Sequence, residues 1–475
     1  MLFNSITFLV FFSLFFILYW IIQGKTNIRN VFILISSYVF YAWWDWRFLG
    51  LIIFSTIVDY VLGMRIEKER RRRYKKFYLA LSLTANLGLL AYFKYFNFFI
   101  SSFVDLMNTV SVNTNLSSLN IILPVGISFY TFQTLSYTID VYRGKLMPNK
   151  NFVQFAAFVS FFPQLVAGPI ERATKLLSQF DENKKFSFNN AKIGLSQILW
   201  GYFKKVVIAD NCAIYADTIF NNYEQMGAGE LAIGAILFAF QIYCDFSAYS
   251  DIAIGISRLL GFDLMTNFRY PYFSRDIAEF WRRWHISLST WFRDYLYIPL
   301  GGSKVGLSRK IVNIFIIFLV SGIWHGANWT FVVWGALNAL YFMPLMLLNL
   351  NRKNLDFVAD GGIVNTLKEI PAVLITFIST CFAWIYFRSA SVTDANAYLK
   401  GIFSFESSKS NLVNVPSYIW VLIFFLLLID FFNRKKDFVF FEMPVKQIAF
   451  TTITGILIVL FGYFTDEKSF IYFQF

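Results

Sequence analysis

FWRRWHISLSTWFRDYLYIPLGG (Phe280–Gly302) and SGIWHGANW (Ser321–Trp329) hold both histidines of the chain, His285 and His325, and decide how the rest is read. The first stretch is amphipathic, tryptophan-rich and strongly basic. The second is a polar, glycine-bracketed interruption of an apolar run that extends from Ile311 to Leu350. Histidine is the side chain whose ordinary pKa lets it exchange a proton near neutrality. Ionisable groups at membrane depth are costly and are read by default as functional. His325 is therefore the candidate chemical centre, provided that the chain carries it into a membrane.

Composition says that it does. Of 475 residues, 57% are hydrophobic and only 15% charged, against about 25% charged in soluble domains. Long, nearly uncharged runs recur from end to end, which describes an all-α polytopic membrane protein and not a soluble domain with one anchor. The net charge of +13 does not imply a nucleic-acid partner. The basic residues fall in short loops between apolar runs, where the positive-inside rule accounts for them. Cys212, Cys244 and Cys381 are scattered and odd in number, with neither disulfide nor metal-ligand spacing. The apolar run Met1 to Ile22 has no basic region before it and no small-residue cleavage site after it, so it reads as a retained first span.

RIEKERRRRYKK (Arg65–Lys76), the densest basic run, marks the cytoplasmic side and puts the N-terminus outside. Apolar spans are expected near 6–22, 31–44, 49–64, 77–100, 121–141, 191–209, 231–260, 372–387 and 448–464, with another reaching NRKKD (Asn433–Asp437). Phe152 to Pro169 is broken by Pro163, Gly168 and Pro169 and suits a re-entrant element. Gly261 to Lys310 is too charged to span and reads as interfacial amphipathic helices on the inner face. The apolar piece Ile311 to Ile323, at about 1.5 Å per residue, goes only part of the way across. His325 is thus expected inside the membrane, on irregular backbone of the kind tolerated only beside protein or a water-filled cavity. Arg388 to Pro416 reads as a polar loop. Counting two halves around His325, the parse gives about 11–13 transmembrane helices, with the tail TDEKSFIYFQF outside. No repeat or separate soluble domain stands out, so residues 1–475 form one membrane domain, with a core of about 120–350 and C-terminal spans and tail at 365–475.

A buried histidine can act as general base on a hydroxyl attacking an activated acyl group. It can instead relay protons in a glycan or lipid transporter, or hydrogen-bond between helices. In YCDFSAYSD, Asp245 and Asp251 lie six residues apart and do not stack on one helix face. They either bond between helices or line a polar cavity. Trp284, Trp324 and Asn328, beside the histidines, are further cavity-lining candidates.

The two histidine motifs, together with LPVGISFYTFQTLSYTIDVYRG, FFPQLVAGPIER, GYFKKVVIAD, YCDFSAYSDIAIG and FAWIYFRSAS, resemble the membrane-bound O-acyltransferase (MBOAT) family. More narrowly they are similar to its alginate O-acetyltransferase-like branch of bacterial cell-surface polysaccharide acetylases. The resemblance covers nearly the whole chain. It implies the MBOAT fold, a ring of tilted helices around a thin centre, with a cytoplasmic tunnel for the donor and an outer funnel for the acceptor. It implies that His325 is catalytic and that His285 is the second family position. Acetyl-CoA would be the donor substrate, with no bound cofactor and no metal. The site would be a bacterial inner membrane, with both termini outside and an extracytoplasmic SGNH/GDSL-type acetyltransferase as partner. Arg282, Arg283, Arg293 and Lys304 would then hold the acyl-CoA phosphates, or else anchor lipid headgroups. FIYFQF is similar to an aromatic motif of the related D-alanylation machinery, which makes Tyr472 a candidate acyl carrier; the alternative is an interfacial aromatic girdle. The expected function is transfer of acetyl to an extracytoplasmic glycan, exopolysaccharide or peptidoglycan. The rivals are D-alanyl transfer to teichoic acid and a transporter with His325 as proton relay.

Overall fold

The computed structural model describes residues 1–22, 24–112, 114, 116–119, 121–166, 168–360, 363–404, 406, 413–464 and 470–471. It is helical, with no strand among the described residues. Trp46–Lys68, Arg72–Thr109, Ala228–Leu259, Leu307–His325, Trp329–Leu347, Thr366–Arg388 and Pro444–Phe461 are long and apolar enough to cross a membrane. Ile6–Ile22 and Ser417–Asn433 are shorter apolar helices. The chain is a multi-pass membrane protein, and the other elements in the expected count of 11–13 are segments shorter or more polar than these. The chain divides into two compact units, 1–191 with 256–264, and 192–255 with 265–475.

In the first unit, the helix Ile127–Tyr142 is buried along almost its whole length. Several of its polar residues are satisfied internally, as a low-dielectric interior demands: Gln133 donates to Phe158 O at 2.9 Å and Ser136 to Gln133 O at 2.7 Å. Asp59 is fully buried and accepts hydrogen bonds from Asn86 Nδ2 at 2.8 Å, Thr138 Oγ1 at 2.8 Å and the Ser82 hydroxyl. The segment with Pro163 is broken into Phe152–Ser160 and Phe162–Leu165, the kink falling where the proline ring excludes a continuing helix.

In the second unit, Phe188–Tyr202 runs through a π turn, Phe203–Ala209, into Asp210–Asn221. Beside it, Ala228–Leu259 extends for 32 residues, about 48 Å at 1.5 Å per residue. Its polar strip is spent on helix pairing. Lys204 Nζ meets Asp251 at 2.6 Å and donates to Ser247 Oγ at 2.7 Å, and Lys205 Nζ meets Asp245 at 2.7 Å. Adjacent lysines on the π turn thus answer two carboxylates that a regular helix would not stack.

Two elements differ from the sequence reading. The His325 helix does not stop a dozen residues in: Leu307–His325 is continuous through Ser321 and Gly322. Gly322 is there for close approach and not as a breaker, since a Cβ on it would lie 2.2 Å from the Phe331 carbonyl oxygen of the next helix. The irregular backbone is confined to Gly326–Asn328, and Asn328 then caps Trp329–Leu347 by accepting from Thr330 N at 3.0 Å. The region expected as a polar loop contains the helix Val392–Ser404, whose Tyr398 is buried, donates to Leu231 O at 2.7 Å and stacks on Phe220 at 4.5 Å. Its single apolar stripe is too narrow to register as a span.

Candidate active site

Local backbone places His285. The short helix Ile277–Arg283 begins at Asp276, which accepts from Glu279 N, and ends at Trp284. His285 then takes the left-handed conformation at φ 43° before Ile286–Phe292. A non-glycine residue is held there only when its surroundings over-determine it. Here the loop residue Asn267 supplies the constraint. Its carbonyl accepts from Ile286 N at 2.9 Å, and its side-chain oxygen accepts from Ser287 N at 3.2 Å and Ser287 Oγ at 2.8 Å.

The same amide oxygen faces His285 Nδ1 at 3.1 Å, while Asn267 Nδ2 donates to Ser250 Oγ at 3.0 Å. With Nδ2 engaged as donor, the oxygen is fixed as acceptor, so His285 Nδ1 carries the proton and Nε2 the lone pair. Burial pushes the imidazolium pKa down to about 3, which keeps the ring neutral at physiological pH. A neutral ring with one tautomer enforced offers Nε2 as a hydrogen-bond acceptor, while the lowered pKa makes it a weak base.

His325 closes its helix one turn past Gly322 and is 3% exposed; His285 is 1% exposed. Their ring centroids are 6.4 Å apart. That is too far for a direct hydrogen bond, which needs about 2.7–3.2 Å between heavy atoms. Trp324 contacts both rings, at 5.9 Å from His285 and 5.0 Å from His325. The surrounding wall is aromatic. Trp324, Trp334 and Phe387 lie at 5.0, 5.1 and 5.4 Å from His325, and Phe246 sits edge-on at 4.6 Å from His285. Trp384 lies 5.7 Å from Trp334 and 5.1 Å from the fully buried Trp284. Such a wall excludes water and strengthens any electrostatic interaction inside it.

The remaining sequence candidates fall in other places. Trp324 lies in the wall between the histidines, and Trp284 stands behind it among Phe268, Phe280 and Trp384. Asn328 is the helix cap and donates to Ala390 O at 2.8 Å. Asp245 and Asp251 pair with the π-turn lysines. Of the basic candidates, Arg282 donates to the carbonyls of Asn351 and Asn354, and Arg283 is buried against Glu279 at 2.7 Å. Arg293 pairs with Asp294 and remains half-exposed, and Lys304 is exposed. Tyr472 lies outside the described residues, but the preceding Phe470 and Ile471 are 1% and 3% exposed, so for these two residues burial replaces the expected girdle. Sequence reasoning missed Asn267, Ser250 and Ser287, which fix His285, because a loop asparagine eighteen positions upstream carries no local mark.

Residues 146–387 match the family model of the membrane-bound O-acyltransferases. The chain is 38% identical over 456 residues to "Probable alginate O-acetylase AlgI" of Pseudomonas aeruginosa, covering 94% of this chain and 84% of that protein. It is 34% identical over 432 residues to the peptidoglycan O-acetyltransferase of Helicobacter pylori, covering 85% and 80%. To the teichoic acid D-alanyltransferase of Bacillus subtilis it is 26% identical over 287 residues, covering 56% and 69%. The chain with these two enclosed imidazoles belongs to the membrane-bound O-acyltransferase family and is a membrane acyltransferase.

Proposed function

We propose that this acyltransferase moves acetyl from acetyl-CoA toward hydroxyls of an extracytoplasmic glycan, with His325 as general base. The observation that carries this reading is the pair of buried imidazoles 6.4 Å apart inside an aromatic chamber, in a chain whose high-coverage relatives are named as O-acetylating enzymes of alginate and peptidoglycan. The D-alanyl-transferring relatives match only about half of the chain, which favours acetyl over D-alanyl.

In this reading His325 takes the proton of the attacking hydroxyl, and its oxygen attacks the thioester carbonyl. The tetrahedral adduct then collapses, breaking the C–S bond, and the proton held on His325 passes to the departing sulfur, so that CoA leaves as the thiol. His285, held as the Nδ1–H tautomer by Asn267, would keep Nε2 available to accept a hydrogen bond beside His325. Arg293 and Lys304, the basic candidates least committed to protein partners, would meet the CoA phosphates from the cytoplasmic side. The membrane would be a bacterial inner membrane with both termini outside. An extracytoplasmic SGNH-type transferase would pass the acetyl on to the glycan, and Tyr472 would carry the acyl group to it.

Purified protein in liposomes with acetyl-labelled acetyl-CoA tests this. Wild type is expected to release CoA and transfer label to a hydroxyl, and His325→Ala to do neither. Label that crosses the bilayer still attached to CoA or to an intact glycan, with no acyl transfer, would establish the transporter instead.

A further inference from the structure

The C-terminal segment is stapled to the bundle at three points: the π turn, the helix that follows it, and the long helix Ala228–Leu259. In a π turn the hydrogen-bond ladder is displaced by one residue, which frees main-chain carbonyls for other donors. Val206 O accepts from Tyr463 N at 2.9 Å. Asn211 Nδ2, already on Val206 O and Val207 O, also donates to Phe461 O at 2.9 Å. The third staple lies deeper. Asp245 Oδ1 is held by Lys205 Nζ at 2.7 Å, and its Oδ2 accepts from Ile471 N at 2.6 Å. Lys205 is steadied in turn by Asp210 at 2.9 Å, and all three charged side chains are nearly fully buried.

What this holds in place is a wall. Phe470 packs on Tyr249 at 4.8 Å and on Phe246 at 5.6 Å, and Phe246 is the ring set edge-on against His285. Backbone N–H groups of a terminal segment ordinarily bond to water or to neighbouring carbonyls. A buried carboxylate committed to one such group, with a lysine fixing its other oxygen, is a specific arrangement and a costly one unless every charge is answered. We propose that the Lys205–Asp245 pair is a latch that docks Phe470 and Ile471 against the His285 side of the aromatic wall, and that Asp245 is a positioning residue acting through these two residues.

The test reads the tail first and transfer second. Ile471→Cys places a thiol at a position that is 3% exposed, in a chain whose Cys212, Cys244 and Cys381 are buried. In full-length detergent-purified protein its maleimide labelling, corrected for the chain without it, is expected to be slow. Asp245→Leu in that background should raise the rate by about tenfold or more, because a released tail labels from its open state. Asp245→Asn, which keeps an acceptor for Ile471 N–H, should restore much of the protection. Phe470→Ala, a change on the tail itself that leaves the bundle alone, should also speed labelling. It reports release of the tail if Asp245→Leu does not fold, and Asp245→Asn then reads the latch. Fast labelling in the Phe470→Ala protein together with wild-type protection in Asp245→Leu, or complete loss of protection in Asp245→Asn, overturns the latch. The consequence for the reaction rests on the proposed function: Asp245→Leu should lower kcat with the KM for acetyl-CoA unchanged, and Asp245→Asn should recover it. Labelling does not depend on which acyl group is transferred, so failure of the acetyl reading leaves the latch result intact.

Discussion

Gly322→Ala is a substitution whose outcome is set by geometry. On propensity alone, alanine at this interior helical position should stabilise the protein by about 1 kcal/mol. The structure reverses that expectation. The added Cβ would stand 2.2 Å from Phe331 O, where ordinary contact begins near 3.4 Å, and that atom is backbone that no rotamer can move. The two helices must therefore separate locally by about 1.2 Å, the difference between those distances. Gly335 makes the reciprocal close approach, its Cβ position lying 2.4 Å from Phe318 O, so the helices cannot simply tilt apart about one point. His325 is three residues on and ends the same helix, so it moves with the backbone. A misplacement of about 1 Å in a catalytic constellation costs about 10²-fold in rate. The expected result is a folded Gly322→Ala protein, monodisperse in detergent, with acyl transfer reduced about 10²-fold. A variant with wild-type turnover would show that His325 is not held by this helix crossing, and would refute the reasoning.

Asn267→Ala should release His285 from its enforced tautomer and lower kcat about 10²-fold, within the 10²–10⁴ ascribed to a positioned base. An unchanged kcat, with folding intact, would remove Asn267 from the account. Glu279→Gln leaves Arg283 without its buried carboxylate and weakens Arg275, which keeps Asp356 at 2.8 Å and Glu369 at 2.7 Å. Unfolding should be easier by about 3 kcal/mol, at the low end for a broken buried pair. A loss below about 0.5 kcal/mol, the ordinary surface-substitution range, would contradict it. Tyr472→Phe should abolish acetylation of the glycan at normal expression, and full activity in that variant would eliminate the acyl-carrier role.

Much of the fold is legible in the sequence because lipid leaves few choices. The first span ends where the helix Ile6–Ile22 ends, and the two-proline segment breaks where ring geometry requires. SGIWHG was misread because a glycine between polar residues has the same appearance whether it breaks a helix or lets another helix come near. Only the 2.2 Å approach to Phe331 separates the two cases. Both histidines stood out by scarcity. Asn267, Lys205 and Ile471 did not, since their roles arise from contacts between positions far apart in the chain, and neither periodicity nor motif encodes those. Asp245 and Asp251 posed a question that spacing alone left open. Consecutive lysines on a π turn provide their pairing, a geometry that a 3.6-residue repeat conceals.

The central claim, that two buried imidazoles within one aromatic wall act as a unit, is tested most directly by a double-mutant cycle on acyl transfer from labelled acetyl-CoA. His285→Asn is the suitable change at the left-handed position, because asparagine tolerates that backbone, and His325→Ala is its counterpart. Residues acting as a unit are strongly non-additive. The account predicts that each single variant loses most of the activity and that the double variant is no slower than His325→Ala. Losses that multiply in the double variant, or a His325→Ala protein that transfers acetyl at the wild-type rate, would contradict it.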